Sequence, residues 1–152
     1  MPSTQRHIDT WQGPITVFLI GMRVNRWWKP WAWLPVIAAM GRMLRELGKD
    51  PSRGLLGGEQ WVGRTTLMVQ YWQSHEQLMA YAHDRERQHV PAWARFVRSW
   101  GREGDVGVWH ETYQVPAGAH ESVYVNMPRF GLGALGAAPA GGQGAPAASS
   151  AA

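Results

Sequence analysis

The stretch from Gly63 to Gln73 constrains the fold most, because a strand-like pattern there changes abruptly into a helix start at Ser74. With a period of two, one face of this strand is mainly apolar and consists of Thr65, Leu67, Val69 and Tyr71. The opposite face mixes a large aromatic ring with hydrogen-bonding groups and consists of Arg64, Thr66, Met68, Gln70 and Trp72. We interpret the first face as a core face and the second as the wall of a cavity.

The other periodic segments give the order of elements along the chain. Strands are predicted at 14–24, 55–62, 64–73 and 105–115, with a short edge strand at 122–126. Helices are predicted over 34–48, from Ser74 with a capping box to Gln77, and from Pro91 to Gly101. The order is strand, helix, two-stranded hairpin, broken helix, strand.

This order predicts an α+β fold of the ferredoxin-like type, a split β-α-β arrangement in which helices cover one face of an antiparallel sheet. The other face would then be a large apolar patch. A second copy packed sheet against sheet is the economical cover, so we predict a homodimer of the dimeric α/β-barrel type, with a cavity between each sheet and its lid.

The ends of the chain differ in composition from its middle. Residues 1–13 are mostly polar and are predicted to be a flexible arm, and 14–132 form one domain. Residues 133–152 are rich in Gly, Ala and Pro, and we predict a disordered tail there.

Composition excludes several classes of function. The chain has no cysteine, which removes disulfides, thiolate nucleophiles and Cys-based metal sites, and we find no zinc-ligand spacing, so no metal is expected. The N-terminus has no signal-peptide core, which predicts a cytoplasmic protein. The net charge of +4 comes from scattered arginines, so nucleic acid is not an expected partner.

Ten tryptophans are the outstanding feature of the composition, and four of them lie in the loop 25–33. The loop is interpreted as a lid or as the mouth of a pocket for a flat ligand. Trp beside Arg and Lys is also typical of membrane interfaces. We rank that second because the helix that follows lacks a clean polar face, and no strand or helix predicts stable membrane insertion.

Several segments carry a resemblance to known proteins. Residues 71–78, 82–83 and 89–93 resemble the strand-to-helix passage of the dimeric α/β-barrel superfamily of antibiotic-biosynthesis monooxygenases. Residues 18–30, 63–72, 108–113 and 123–132 more closely resemble a bacterial family named for its similarity to the fumagillin-pathway polyketide monooxygenase. This second resemblance covers roughly 15–132.

The resemblance implies a monooxygenase that oxidises an aromatic or polyketide-like small molecule with dioxygen in a Trp-lined pocket, without a cofactor. Such chemistry needs a base and a polar group for an enolate oxygen. The candidate bases are His110 and His89, with Asn25 as a further catalytic candidate. The candidate ligand-binding residues are Arg64, Gln70, Trp72, Trp27, Trp28 and Arg26.

Other interpretations stay open for the same residues. His110 is also consistent with a hydrogen-bonded strand histidine, His89 with a surface histidine, and Arg64 with an ion pair to Glu59. Haem-binding branches of the superfamily imply haem as an alternative cofactor, with His110 or His89 as axial ligand. A non-catalytic module that binds an aromatic ligand is the third hypothesis.

Overall fold

The computed structural model describes Arg6, residues 8–84 and residues 104–136 of the chain. Its elements are β1 (Ile15–Val24), α1 (Pro30–Lys49), β2 (Leu55–Trp61), β3 (Leu67–Trp72), α2 (75–84) and β4 (Val106–Val115). The strands form one sheet in the order β2-β3-β1-β4, and every neighbouring pair is antiparallel. This confirms the predicted α+β, ferredoxin-like fold, whereas the helix predicted from Pro91 lies outside the described residues.

The sheet has one face covered by α1 and α2 and a second face, called the helix-free side, that neither of these described helices covers. Trp72 of β3 is 1% exposed and packs with Leu47 of α1 and with Leu78 and Tyr81 of α2. Met22, Val36 and Val106 form a second buried cluster on the same side. Because side chains alternate along a strand, Met68 and Gln70 also lie on this helix side.

The sequence-based assignment of the first β3 face to the core is therefore wrong. The presumed core residues Leu67, Val69 and Tyr71 lie on the helix-free side and are only half-buried. Gln70 is buried because its polar groups are satisfied locally: its Oε1 accepts a hydrogen bond from Trp72 Nε1 at 3.0 Å, and its Nε2 lies 3.2 Å from Met68 Sδ. A satisfied amide does not prevent burial.

Helix α1 begins earlier than the sequence pattern indicates. It starts at Pro30 rather than Leu34, so Pro30 takes the first-turn position and Pro35 lies inside the helix. The helix ends at Lys49, and Asp50 then accepts a hydrogen bond from Ser52 N in a short 3-10 turn. The earlier start brings Trp31 and Trp33 into the helix.

Both described ends of the chain contact the domain. Asp9 accepts hydrogen bonds from Ser122 and from His120, and Trp11 is buried, so the C-terminal part of the predicted arm is fixed. Residues 122–126 do not form the predicted edge strand, since a bridge at Tyr124 is their one strand-like position. Residues 131–134 form a 3-10 turn, and the predicted tail beyond 136 lies outside the described residues.

The residues after Tyr124 cover part of the helix-free face. Phe130 packs edge-on against Trp61 of β2 with ring centroids 5.9 Å apart, and Gly131 N donates to Glu59 Oε1 at 3.3 Å. The chain itself therefore covers part of the β2–β3 half of that face. No helix within the described ranges is long and apolar enough to cross a membrane.

Candidate functional site

A cleft opens on the helix side between α1 and the sheet. It has a volume of about 150 Å³. Its roof is formed by α1 and its floor by the three adjoining strands, with the lining residues Ile20, Met22, Ile37, Met40, Gly41, Leu44, Gln60, Thr66, Leu67 and Met68. The lining is mainly apolar and includes three methionines from three elements, which suits a ligand of irregular apolar shape.

A row of four residues crosses the whole sheet, and three of them, Gln60, Met68 and Ile20, belong to the floor of the cleft. Gln60 pairs with Met68, Met68 pairs with Ile20, and Ile20 pairs with His110. Paired residues of neighbouring strands point to the same side, so all four side chains stand on the helix side. Since neighbouring strands are about 4.8 Å apart, His110 lies one strand beyond the cleft lining.

His110 is exposed at the β4 end of this row. Its ring lies against Phe18 of β1 with centroids 5.8 Å apart and the planes tilted by 45°. Among the residues that the structure describes, none hydrogen-bonds to this imidazole, so it is not the hydrogen-bonded strand histidine of the simplest alternative. An accessible imidazole next to an apolar cleft suits a general base.

Gln70 and Trp72 lie on the same face but do not line the cleft. They stand two and four residues after Met68 along β3, and both are buried in the core below the helices. These two side chains were predicted to bind ligand, but in this conformation neither is accessible to a ligand. Their hydrogen bond to one another is instead part of the packing.

Asn25 and Arg26 lie at the end of the sheet, in the loop between β1 and α1. Asn25 Nδ2 donates to Gly104 O at 3.0 Å, and Arg26 forms an ion pair with Asp105 at 2.7 Å. Lys29 binds the other carboxylate oxygen of Asp105 at 3.1 Å. Burial by itself would raise the pKa of Asp105, but the hydrogen bonds and charges of Lys29 and Arg26 outweigh it and lower the pKa.

These contacts attach the β1–α1 loop to the start of β4. Asn25 is five residues from Ile20 along β1, which corresponds to about 16 Å at roughly 3.3 Å per residue. The structure therefore does not bring Asn25 and Arg26 together with His110, and their predicted site roles stay predictions.

Arg64 also lies at this end of the sheet. Its Nε donates to Val24 O at 3.3 Å, and its own carbonyl accepts from Val24 N at 2.9 Å. Glu59 binds Gly131 N, so the ion pair between Arg64 and Glu59 is not formed. Arg64 thus closes the end of the β1–β3 pairing.

The two tryptophans of the predicted mouth are on the surface. Trp27 and Trp28 pack edge to face with ring centroids 6.1 Å apart, and both are exposed. Neither lines the cleft. The second candidate base, His89, lies outside the described residues.

Sequence reasoning missed most of the residues that line the cleft. The face of β3 that was predicted to be a cavity wall includes Thr66 and Met68, which line the cleft, but Gln60 and the lining residues of α1 received no site role. The pairing of β2 with β3 in a hairpin contained a signal for Gln60. Residues paired across a hairpin point to the same side, so Gln60 stands on the face of Met68. The Thr66 hydroxyl also accepts a hydrogen bond from Met22 N at 3.0 Å, which fixes this side chain at the edge of the cleft.

Metal ligation finds no support in this region. No group of three His, Asp or Glu side chains that could hold a metal ion occurs among the described residues.

Comparison with known proteins identifies the family. The sequence profile of the family described as "Monooxygenase af470-like" matches residues 15–132, most of the chain. The chain belongs to the monooxygenase af470-like family. The matched region contains all four strands and the cleft.

A relative of this af470-like chain is a protein named Monooxygenase af470 from Aspergillus fumigatus. The two are 33% identical over 88 residues, which is 58% of this chain and 30% of the fungal protein. This chain therefore spans less than a third of that relative's length in the matched region.

A solved structure described as a dimeric ferredoxin-like protein, from an uncultured marine organism, aligns with the af470-like chain at a TM-score of 0.46 and 17% identity. The alignment covers 68% of this chain and 95% of the other. A likeness at this distance carries no conclusion about assembly or ligands.

Proposed function

We propose that this af470-like chain is an oxygenase that oxidises an apolar, aromatic or polyketide-like small molecule with dioxygen on the helix side of its sheet. The observation that carries the proposal is the row from Gln60 to His110, which places an accessible imidazole beside an apolar cleft. Membership of a family named for a monooxygenase supports the reaction class. The substrate and the mechanism are part of the proposal.

The cleft suits one end of the substrate. Its volume of about 150 Å³ is smaller than the 300–1,000 Å³ of most small-molecule sites, so it would hold a ring or short apolar segment. The rest of the substrate would lie along the row toward His110. In that position Gln60 at the opposite end offers an amide to a polar substituent.

His110 would act as the base at the reacting end. Its imidazole removes a proton from a carbon acidified by a neighbouring carbonyl or phenol, and the resulting carbanion passes an electron to dioxygen. Combination of the two radicals and return of the proton gives a hydroperoxide. Loss of water from it converts the CH₂ group to C=O, so one oxygen atom enters the product and the other leaves as water.

The test is the substitution His110→Gln. We expect the rate of oxygen consumption with a three-ring phenolic ketone to fall by about 10²–10⁴-fold, the usual contribution of a general base. The free energy of unfolding should change little, because His110 is exposed. His83→Gln, a substitution of another exposed histidine, is the matched control and should keep the wild-type rate.

Two results would contradict this mechanism. Unchanged turnover in the His110→Gln protein would remove the imidazole from the reaction. A Soret band that appears on haem titration of the wild type and disappears in His110→Gln would instead assign His110 as an axial ligand.

The helix-free face supports the proposal of a homodimer. On its β1–β4 half, Val17 and Leu19 are half-buried, and Tyr113 is exposed and donates a hydrogen bond to Glu111 of the same strand. A second copy packed sheet against sheet would bury this half. Light scattering on the purified chain should give twice the monomer mass, and Tyr113→Lys should shift it to the monomer.

A further inference from the structure

The outward face of the first half of α1 is apolar and exposed. Trp31 is 69% and Leu34 51% exposed, and just before the helix Trp27 is 72% and Trp28 57% exposed. We call these four residues the aromatic end. Large aromatic side chains rarely stand this far in water without a partner.

Packing of the fold does not explain the aromatic end. The opposite side of α1 is the one that the domain buries, through Ala32, Trp33 and Val36 against Met22 and Val106. At 100° per residue, Trp31 and Leu34 point away from that contact. The first half of α1 therefore carries apolar side chains on two opposite sides, and only one of these sides packs against the sheet.

The segment that carries the aromatic end has no acidic residue of its own. From Met22 to Arg45 there is no Asp or Glu, whereas five cations occur: Arg23, Arg26, Lys29, Arg42 and Arg45. The first turn of α1 also has no acidic residue, although a helix N-terminus favours one. Asp105, which lies at this end of the sheet, is nearly buried between Arg26 and Lys29.

Two further elements meet at the same end of the domain. The turn between β2 and β3 contacts the end of β1 through the paired backbones of Arg64 and Val24, and it presents Val62, which is 84% exposed. Arg64 and Arg23 are exposed beside it. Exposed aromatic and aliphatic side chains thus alternate with cations across one end of the molecule.

We propose that the aromatic end docks on an anionic lipid bilayer as a peripheral contact. Tryptophan favours the zone between lipid headgroups and acyl chains, and cations beside it are attracted to anionic headgroups. An isolated helix on a membrane surface would need a polar face toward the water. Helix α1 does not need such a face, because the side opposite the aromatic end is packed on the sheet. A second copy fits this surface less well, since a two-fold contact would bring cations against cations.

Vesicle co-sedimentation of the full chain tests the proposal. We expect binding to vesicles of phosphatidylglycerol mixed with phosphatidylcholine, and much weaker binding to phosphatidylcholine alone. Raising the salt from about 0.1 M to about 1 M shortens the screening length from about 10 Å to about 3 Å and should weaken binding. The double variant W27Q/W31Q should partition at least about tenfold more weakly.

The matched control is V123S/V125S, which removes two exposed apolar side chains from the segment between β4 and the 3-10 turn. It should bind vesicles like the wild type. Circular dichroism and thermal unfolding should show that both variants keep the wild-type fold, as expected for exposed positions.

Three outcomes would overturn the proposal. The wild type fails to bind the anionic vesicles; W27Q/W31Q binds them as well as the wild type does; or V123S/V125S loses as much binding as W27Q/W31Q. If vesicles are not bound and W27Q/W31Q changes the mass measured by light scattering, a second copy is the occupant. None of these measurements depends on catalytic turnover. A failure of the proposed reaction can therefore be distinguished from a failure of the proposed membrane contact.

Discussion

The two faces of the sheet are built from the same strands but use their side chains differently. On the helix side, Trp72 is buried among α1 and α2, and Gln70 is buried with it through local hydrogen bonds. On the helix-free side, Tyr71 and Tyr113 keep polar groups near solvent or near the C-terminal segment. Burial, with the nearby Tyr124 and Glu59, raises the pKa of Tyr71, and the hydrogen bond of Tyr113 to Glu111 raises the pKa of Tyr113.

The difference shows that residue polarity is a poor guide to which face of a strand is buried. A glutamine that satisfies its amide inside one strand is compatible with the core, and a tyrosine with a polar tip is compatible with a half-covered surface. The helix side therefore holds the apolar cleft, and the helix-free side holds a surface that the C-terminal segment partly covers.

The largest expected effect tests whether the helix side is the main core. Trp72→Ala removes a fully buried ring that contacts both helices, so the free energy of unfolding should fall by about 3–5 kcal/mol in urea titrations. Trp61→Ala is the control on the other face. Trp61 is 44% exposed and has one edge-on contact to Phe130, so about 1 kcal/mol is expected. Equal losses would show that both faces are core.

The second prediction concerns a close approach of β1 and its neighbours. A Cβ on Gly21 would lie 2.0 Å from Thr66 O and 2.7 Å from Trp109 Nε1, so the backbone has to shift. Gly21→Ala should destabilise the protein by about 1–3 kcal/mol, as overpacking does.

Gly48→Ala is the matched control for this substitution. Nothing lies within 4 Å of the added Cβ, and the site is in α1, so stability should rise by up to about 1 kcal/mol. Two results would contradict the close approach of the backbones at Gly21. One is a Gly21→Ala protein as stable as the wild type, and the other is a Gly48→Ala protein that is less stable than the wild type.

The smallest expected effect concerns the contact between the N-terminal segment and residues 120–122, which belong to neither face. Burial would raise the pKa of Asp9, but hydrogen bonds from Ser122, His120 and Trp11 N outweigh it and lower the pKa below its ordinary 3.8. A lowered folded-state pKa adds stability above pH 3.8 that is lost as the pH falls through the folded value.

Urea unfolding between pH 6 and pH 2 measures this contribution. After screening by solvent it should be about 0.5 kcal/mol. The decrease in the free energy of unfolding between pH 6 and pH 2 should be smaller by this amount in Asp9→Asn than in the wild type. An identical pH dependence in both proteins would show that Asp9 is not held in this contact.

Much of the fold was predictable from local patterns. The continuous apolar run that forms β1 was placed at 14–24 and is found at Ile15–Val24, and β4 was placed at 105–115 and is found at Val106–Val115. Both segments are rich in the β-branched and aromatic residues that favour strands. The order of strands and helices then restricted the sheet to a ferredoxin-like arrangement.

The candidate site was less predictable. His110, which lies at the end of the row across the sheet, was a candidate from its place in a strand of alternating residues, and its role stays a prediction. The cleft beside it was not identified, because its roof comes from α1 and its floor from three strands that are distant in sequence. Asn25 and Arg26 were expected at the site but bind Gly104 and Asp105, which lie 79 residues away from them along the chain.

By itself, the sequence determined the period and the order of the elements, because these depend on neighbouring residues and on local steric preferences. It did not determine which face of β3 is buried, which loops meet at the end of the sheet, or which tryptophans stay exposed. Those features depend on contacts between distant segments, where the helices lie on one side of the sheet and the C-terminal segment on the other. Only the tertiary structure decided that Trp72 belongs to the core and that Trp27 and Trp31 face outward.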